Sequence, residues 1–180
     1  GLTVFWQANP TNFEGLYQNI KDLGVLTGNT AKADALVSDL QGRVNAVTEK
    51  LADVQEKPAV FYQLDSTDPA NPWTSGGGTF IDYIINMAGG ASIASDLDAY
   101  AQISTEDLIT RNPDVILMGD AMYGITAESV AARPGWDVIK AVQENAIYPI
   151  DPYILSVPGP RLVDGLEETA RLLHPDVFAE

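Results

Sequence analysis

Four aromatic residues stand where an open α/β sheet would present a ligand: Trp73, Tyr100, Tyr123 and Tyr153. Trp73 lies in a loop after one apolar strand-like run. Tyr123 and Tyr153 each follow another, and Tyr100 precedes a helix start at Ser104. Open parallel sheets bind ligands at the carboxyl ends of their strands, and clustered aromatic faces suit a large, flat organic molecule. Taken singly, each ring reads as ordinary core or surface packing; their shared edge is what raises the ligand-binding reading to stand level with it. Arg161, in Pro158-Gly159-Pro160-Arg161, would sit at the start of the last helix, where the dipole disfavours a cation. It is either a surface charge paired with a carboxylate such as Asp164 or a ligand contact on a cleft rim. Ser75-Gly76-Gly77-Gly78-Thr79 precedes a helix and could offer amides to an anion. It lacks the Lys of a phosphate loop and the spacing of a dinucleotide fingerprint, so a flexible loop is the plainer reading.

The missing residue types narrow the chemistry further. The chain has no Cys and one His, which excludes disulfides, thiolate metal sites, Cys nucleophiles and multi-imidazole metal sites from one chain. His174, before Pro175, reads as a helix-end residue, and Trp136 in Arg133-Pro134-Gly135-Trp136 reads as a packing anchor. No paired carboxylates stand out as an acid/base dyad. These absences argue against an enzyme on an α/β fold, which stays open as an alternative class beside a stand-alone interaction module.

The 180 residues carry 25 Asp plus Glu against 10 Lys plus Arg, a net charge of −15. So negative a surface repels phosphate backbones and anionic lipid, so nucleic acid is not an expected partner. Apolar residues make up 46% of the chain, enough for a sizeable core. No run approaches the roughly 20 apolar residues that span a bilayer. The chain begins mid-pattern without Met, as a processed or truncated chain would.

The elements that must position these residues follow from periodicity. Residues 2–6 form a β-favouring run. Thr11 and Glu14 have capping-box spacing, and Gly24 is placed to stop the helix they start. A long helix runs from Asn29 or Thr30 to Lys57-Pro58, with Leu36, Leu40, Val44, Val47, Leu51 and Val54 on one face, about 40 Å at 1.5 Å per residue. From residue 58 onward, strands (59–64, 115–118, 146–150) alternate with helices (from 79, from 104, pieces at 126–132 and 135–143, and 158–173). That order predicts an α/β lobe of three layers, a mainly parallel sheet with helices on both faces. The expected divisions are 1–28, 29–57 and 58–180.

Three segments carry a resemblance: Gly78 to Gly90, Ile103 to Leu117 with its Ser104-Thr105-Glu106 and Pro113-Asp114-Val115-Ile116, and Arg133 to Trp136 together with Val157 to Pro175. On these the chain resembles the helical-backbone periplasmic substrate-binding proteins of ABC importers for vitamin B12, iron siderophores and haem. The resemblance covers nearly the whole chain. It implies two α/β lobes joined by one long helix, with ligand in the cleft between. By that resemblance residues 30–56 are the connector, 58–175 the second lobe, and 2–6 the last strand of the first.

The resemblance also implies roles. The function would be extracytoplasmic capture of a large chelate, a corrinoid such as cobalamin foremost, and delivery to an ABC permease; a siderophore or haem is the alternative within the family. No resident cofactor or metal is implied, only a ligand that is itself a metal chelate. Trp73, Ser75, Gly76, Tyr100, Tyr123, Tyr153 and Arg161 become ligand-binding candidates. Glu106, six positions after Tyr100, becomes the residue that docks on an Arg of the permease, although an acid in the first turn of a helix also simply favours its dipole. The 2–6 strand, left without neighbours, would make dimerisation through a sheet edge plausible.

Overall fold

The computed structural model describes residues 1–179. Its strands are Ala59–Gln63 (β1), Trp73–Ser75 (β2), Ala91–Ser92 (β3), Tyr100–Gln102 (β4), Val115–Met118 (β5) and Ile147–Pro149 (β6). The helices are Phe13–Leu26 (α1), Thr30–Lys50 (α2), Phe80–Met87 (α3), Thr105–Arg111 (α4), Ala127–Ala131 (α5), Lys140–Gln143 (α6), Tyr153–Ser156 (α7), Leu162–Leu173 (α8) and Pro175–Phe178 (α9).

Four strands form a wholly parallel sheet in the order β3-β1-β5-β6. The continuous apolar run Val115–Met118 is buried at every residue, as a strand covered on both faces must be. Val60, Tyr62, Val115 and Leu117 point to one face, where α1, α2, α3, α7 and α8 bury their apolar sides. Phe61, Ile116, Met118 and Ile147 point to the other, against Leu108 of α4, Val130 of α5, Ala141 of α6 and, in the turn before α6, Trp136. The three-layer α/β expectation therefore holds. Thr79 caps α3 by accepting from the Asp82 amide, and Ser104 caps α4 by accepting from Asp107, as the spacing predicts.

The long helix starts at Thr30 as read but ends at Lys50, about 31 Å rather than 40 Å. Val47 is its last fully buried residue, and Val54 lies only half-buried, so no packing sustains the helix to Pro58. It packs along Val37, Leu40, Val44 and Val47. The first helix is capped by Asn12, one residue later than expected, and runs through Gly24 to Leu26. Gly24 serves a close approach: a Cβ there would collide with that of Ala33 on α2. Phe13 meets Phe80 and Tyr83 edge-on at 5.3 and 5.6 Å between ring centres, tying α1 to α3.

Three expectations are corrected. Residues 2–6 form no strand; Leu2, Val4, Phe5 and Trp6 are exposed, because a strand needs a neighbour for its backbone groups. Trp73 does not lie in a loop: it opens β2, which pairs antiparallel with β4, Trp73 opposite Gln102 and Ser75 opposite Tyr100. The closing helix expected from residue 158 starts only at Leu162, after Pro158 and Pro160, which cannot donate a backbone hydrogen bond, and α7 is a separate turn ahead of it.

Candidate functional site

The carboxyl edge of the sheet is fastened by backbone hydrogen bonds. The Gly119 amide donates to Gln63, and the Ile150 amide to Met118. The two-stranded ribbon hangs from the end of β1, where the Leu64 amide donates to Trp73 and the Trp73 amide to Asp65. These links bring Trp73, Asp65, Asp120 and Asp151 to one edge from segments far apart in sequence.

The predicted aromatic residues arrive there exposed. Trp73 is 42% exposed, Tyr100 58%, Tyr123 77% and Tyr153 50%, with Met122 beside them at 51%. Elsewhere the large rings of Phe13, Tyr17, Phe61, Tyr62, Phe80 and Trp136 are buried. Tyr123 shares a depression with Asp65, Ser66 and Asp120; Tyr153 shares the next with Met122, Pro149 and Asp151; Tyr100 borders a third with Gly78 and Pro158.

Two candidates face inward instead. Ser75 is fully buried, and its hydroxyl donates to Thr79 at 2.8 Å. Gly76 is buried, its amide donates to Ala99, and a Cβ there would strike the Leu97 and Asp98 carbonyls. Both hold the ribbon together and present no side chain to the edge. Arg161 resolves toward the paired-cation reading: it donates to Asp151 at 3.0 Å and lies 3.7 Å from Asp164. Because Asp151 is itself on the edge, Arg161 stays within reach of the rim. Glu106 is exposed in the first turn of α4, whose start is hydrogen-bonded to Ala70 ahead of Trp73. His174 ends α8 as expected, its Nε2 3.3 Å from the Gly89 carbonyl. Trp136 is the buried anchor expected, edge-on to Phe61 at 6.4 Å.

Sequence reading missed the polar floor behind these rings. Gln63 donates to Asp120 at 2.7 Å, Ser66 donates to its other oxygen at 2.6 Å, and Arg133 donates to Gln63 at 2.7 Å. Asp120 is only 3% exposed, so these bonds replace the water it has lost. The Arg133 guanidinium lies 4.5 Å over the Trp136 ring; burial pulls its pKa below the usual range, opposed by Asp120. The Tyr62 phenol lies against the Gly119 backbone at the end of β5; burial, then Asp120, Tyr100 and Asp151, push its pKa above the usual value. A signal existed in the sequence: Gly119-Asp120 puts a carboxylate directly behind a strand buried on both faces. Among the described residues no group of His, Cys, Asp and Glu could hold a metal ion.

A parallel sheet with helices on both faces and an exposed aromatic edge is the architecture of an α/β binding lobe. The model of the periplasmic binding protein family matches residues 2–154, and the chain belongs to that family. It is 32% identical over 182 aligned residues to the uncharacterised ABC transporter substrate-binding lipoprotein YvrC of Bacillus subtilis (strain 168), covering 100% of this chain and 56% of that protein. It is 29% identical over 181 residues to a cobalamin-binding protein of Halobacterium salinarum, covering 97% and 48%. The crystal structure of the periplasmic vitamin B12 binding protein BtuF of Vibrio cholerae matches with a TM-score of 0.81 at 21% identity, over 100% of this chain and 68% of that one; this likeness is one of fold. The chain spans about half the length of these curated relatives. Among the described residues no helix is long and apolar enough to cross a membrane.

Proposed function

We propose that the chain forms one wall of the ligand cleft in an extracytoplasmic solute-binding component of an ABC importer, and that the solute is a large chelate of the corrinoid class, such as cobalamin. The observation that carries this reading is the row of exposed rings, Trp73, Tyr100, Tyr123 and Tyr153, at a sheet edge whose floor is already hydrogen-bonded. Rigid rings give contact area at little conformational cost, and a broad shallow surface suits a ligand too large for a closed pocket. The similarity to a cobalamin-binding protein supports the corrinoid choice over haem or a siderophore. Glu106 is the docking contact for a permease cation.

Trp73 supplies the test. Titrating the chain with cyanocobalamin while following amide resonances should shift Trp73, Tyr100, Tyr123 and Tyr153 together. Replacing Trp73 by Ala should weaken binding about five- to thirtyfold, by about 1–2 kcal/mol for one lost aromatic anchor. Shifts confined to other faces, or none with cobalamin alongside clear shifts with haemin, would overturn the corrinoid assignment.

A further inference from the structure

The chain has ten Lys and Arg residues, and the fold keeps nearly all of them away from the aromatic edge. Eight lie on α1, α2, α4, α6, α8 and the segment before β1. Several of these are consumed where they stand: Arg43 by Asp164 and Glu167, Arg111 by Asp96, Lys140 by Asp114, Arg171 by Glu168. The other two reach the edge already engaged. Arg133 donates to Gln63 from behind the floor, and Arg161 is held by Asp151 at 3.0 Å.

The carboxylates are distributed the opposite way. Asp65 and Asp120 line the depression that holds Tyr123, and Asp151 lines the one that holds Tyr153. Asp65 is kept ionised by hydrogen bonds from Thr67, which hold its pKa below the usual value. An anionic group brought to these rings would meet Asp65 and the Arg161-paired Asp151 at the surface, with the buried carboxylate of Asp120 behind them. The nearest cation, Arg161, is already paired with Asp151 at 3.0 Å and lies 3.7 Å from Asp164, so its charge is offset before a ligand arrives.

We propose that this wall selects by charge: it takes neutral or cationic chelates against Trp73, Tyr100, Tyr123 and Tyr153, and refuses those with carboxylates or other anions on their rim. The proposal rests on the chelate-binding reading above and narrows its ligand class. A corrinoid bearing neutral amides on its rim, or a cationic ferric hydroxamate, fits; haem with free propionates and a ferric tricatecholate do not.

A matched series isolates charge from shape. Cyanocobalamin and its mono- and tricarboxylic acid derivatives, in which rim amides are hydrolysed, differ little in size. Titrating the chain with each and following the amides of the four rings, we expect each added carboxylate to weaken binding about threefold or more at low ionic strength. The gap should narrow at roughly 0.5 M salt, where screening is nearly complete beyond contact distance. Asp65→Asn and Asp151→Asn should each shrink the gap, the second more strongly because it also frees Arg161. Carboxylic acids binding as tightly as cyanocobalamin, or tighter, would overturn charge selection while leaving corrinoid binding intact. Binding of a cationic ferric hydroxamate but of no corrinoid and no tricatecholate would overturn the corrinoid assignment and uphold charge selection. Binding of none of these probes would overturn both.

Discussion

The guanidinium of Arg43, on α2, grips the carboxylate of Glu167, on α8, through hydrogen bonds of 2.9 and 2.6 Å. It donates a third, also 2.6 Å, to Asp164, and Asp164 lies 3.7 Å from Arg161. A chain of alternating charges thus runs from the long helix to the rim of the candidate site, through Arg161 to Asp151.

Arg43→Ala should therefore loosen α2 from the lobe. The pair is bidentate, which strengthens it, yet the side chains remain 34% and 25% exposed, so solvent screens part of the gain. A loss of about 1–2 kcal/mol is expected, read as a lower urea midpoint. Arg43→Lys should recover less than half of it, because an ammonium cannot form the two parallel bonds. Wild-type midpoints for both variants would show that apolar packing alone holds the helix.

Tyr62 and Gly119 make a second pair whose effects should couple. The Tyr62 hydroxyl is buried without a hydrogen-bond partner among the described residues, and a Cβ on Gly119 would run into it. An unpaired buried donor is costly, whereas an apolar ring of the same shape is not. Tyr62→Phe should leave stability unchanged or raise it by up to about 1 kcal/mol. Gly119→Ala should lower it by about 1–3 kcal/mol through overpacking. In the double variant the loss should fall below the sum of the singles. Strict additivity by thermal or urea unfolding would show that Gly119 is constrained by something other than Tyr62.

Much of this was legible in the sequence wherever one pattern decided the outcome. Val115–Met118 is apolar at every position, and the Thr79 and Ser104 caps follow from spacing. The aromatic edge was legible because a parallel sheet puts its strand ends together. What escaped depends on partners distant in the chain. Trp73–Ser75 is a strand only because Tyr100–Gln102 lies beside it, and neither alternates in polarity. Gln63, Ser66, Asp120 and Arg133 span 70 residues yet share one hydrogen-bond network. Residues 2–6 fail in the other direction: a β-favouring composition forms no strand without a neighbouring one.

Acid should unfold the chain by protonating carboxylates whose folded pKa is depressed. Asp114 is the best placed. Burial pushes its pKa up, but the Lys140 ammonium at 2.8 Å and the Ala59 amide at 2.7 Å pull it down further, to a net value below the usual 3.8. Asp65, held by Thr67, and Asp96, held by Arg111, shift the same way. A group whose folded pKa is lowered contributes its stability fully above the unfolded pKa and loses it as pH falls through the folded one. Urea midpoints should therefore show no loss from these groups near neutrality and fall below about pH 4. Asp114→Asn should remove part of that acid slope and cost under about 1 kcal/mol at pH 7, since the ion pair is partly exposed. An acid slope unchanged by this substitution would remove Asp114 from the pH response.

Glu106 carries the last prediction, on the proposed permease contact. It is exposed in the first turn of α4 and its side chain lines none of the depressions that hold Tyr100, Tyr123 and Tyr153. Its removal should leave chelate affinity at the wild-type value and reduce chelate uptake in cells, or binding to the reconstituted permease, by about tenfold for one lost charge pair. Glu106→Gln should match Glu106→Ala, because the charge rather than the shape is used, and raising the salt concentration should weaken wild-type docking toward the variants. The structural contribution is separable: an acid in a first turn favours the helix dipole by about 0.3–1 kcal/mol, which shifts the unfolding midpoint without touching uptake. Variants that transport at the wild-type rate while showing only that small stability change would confine Glu106 to its helix.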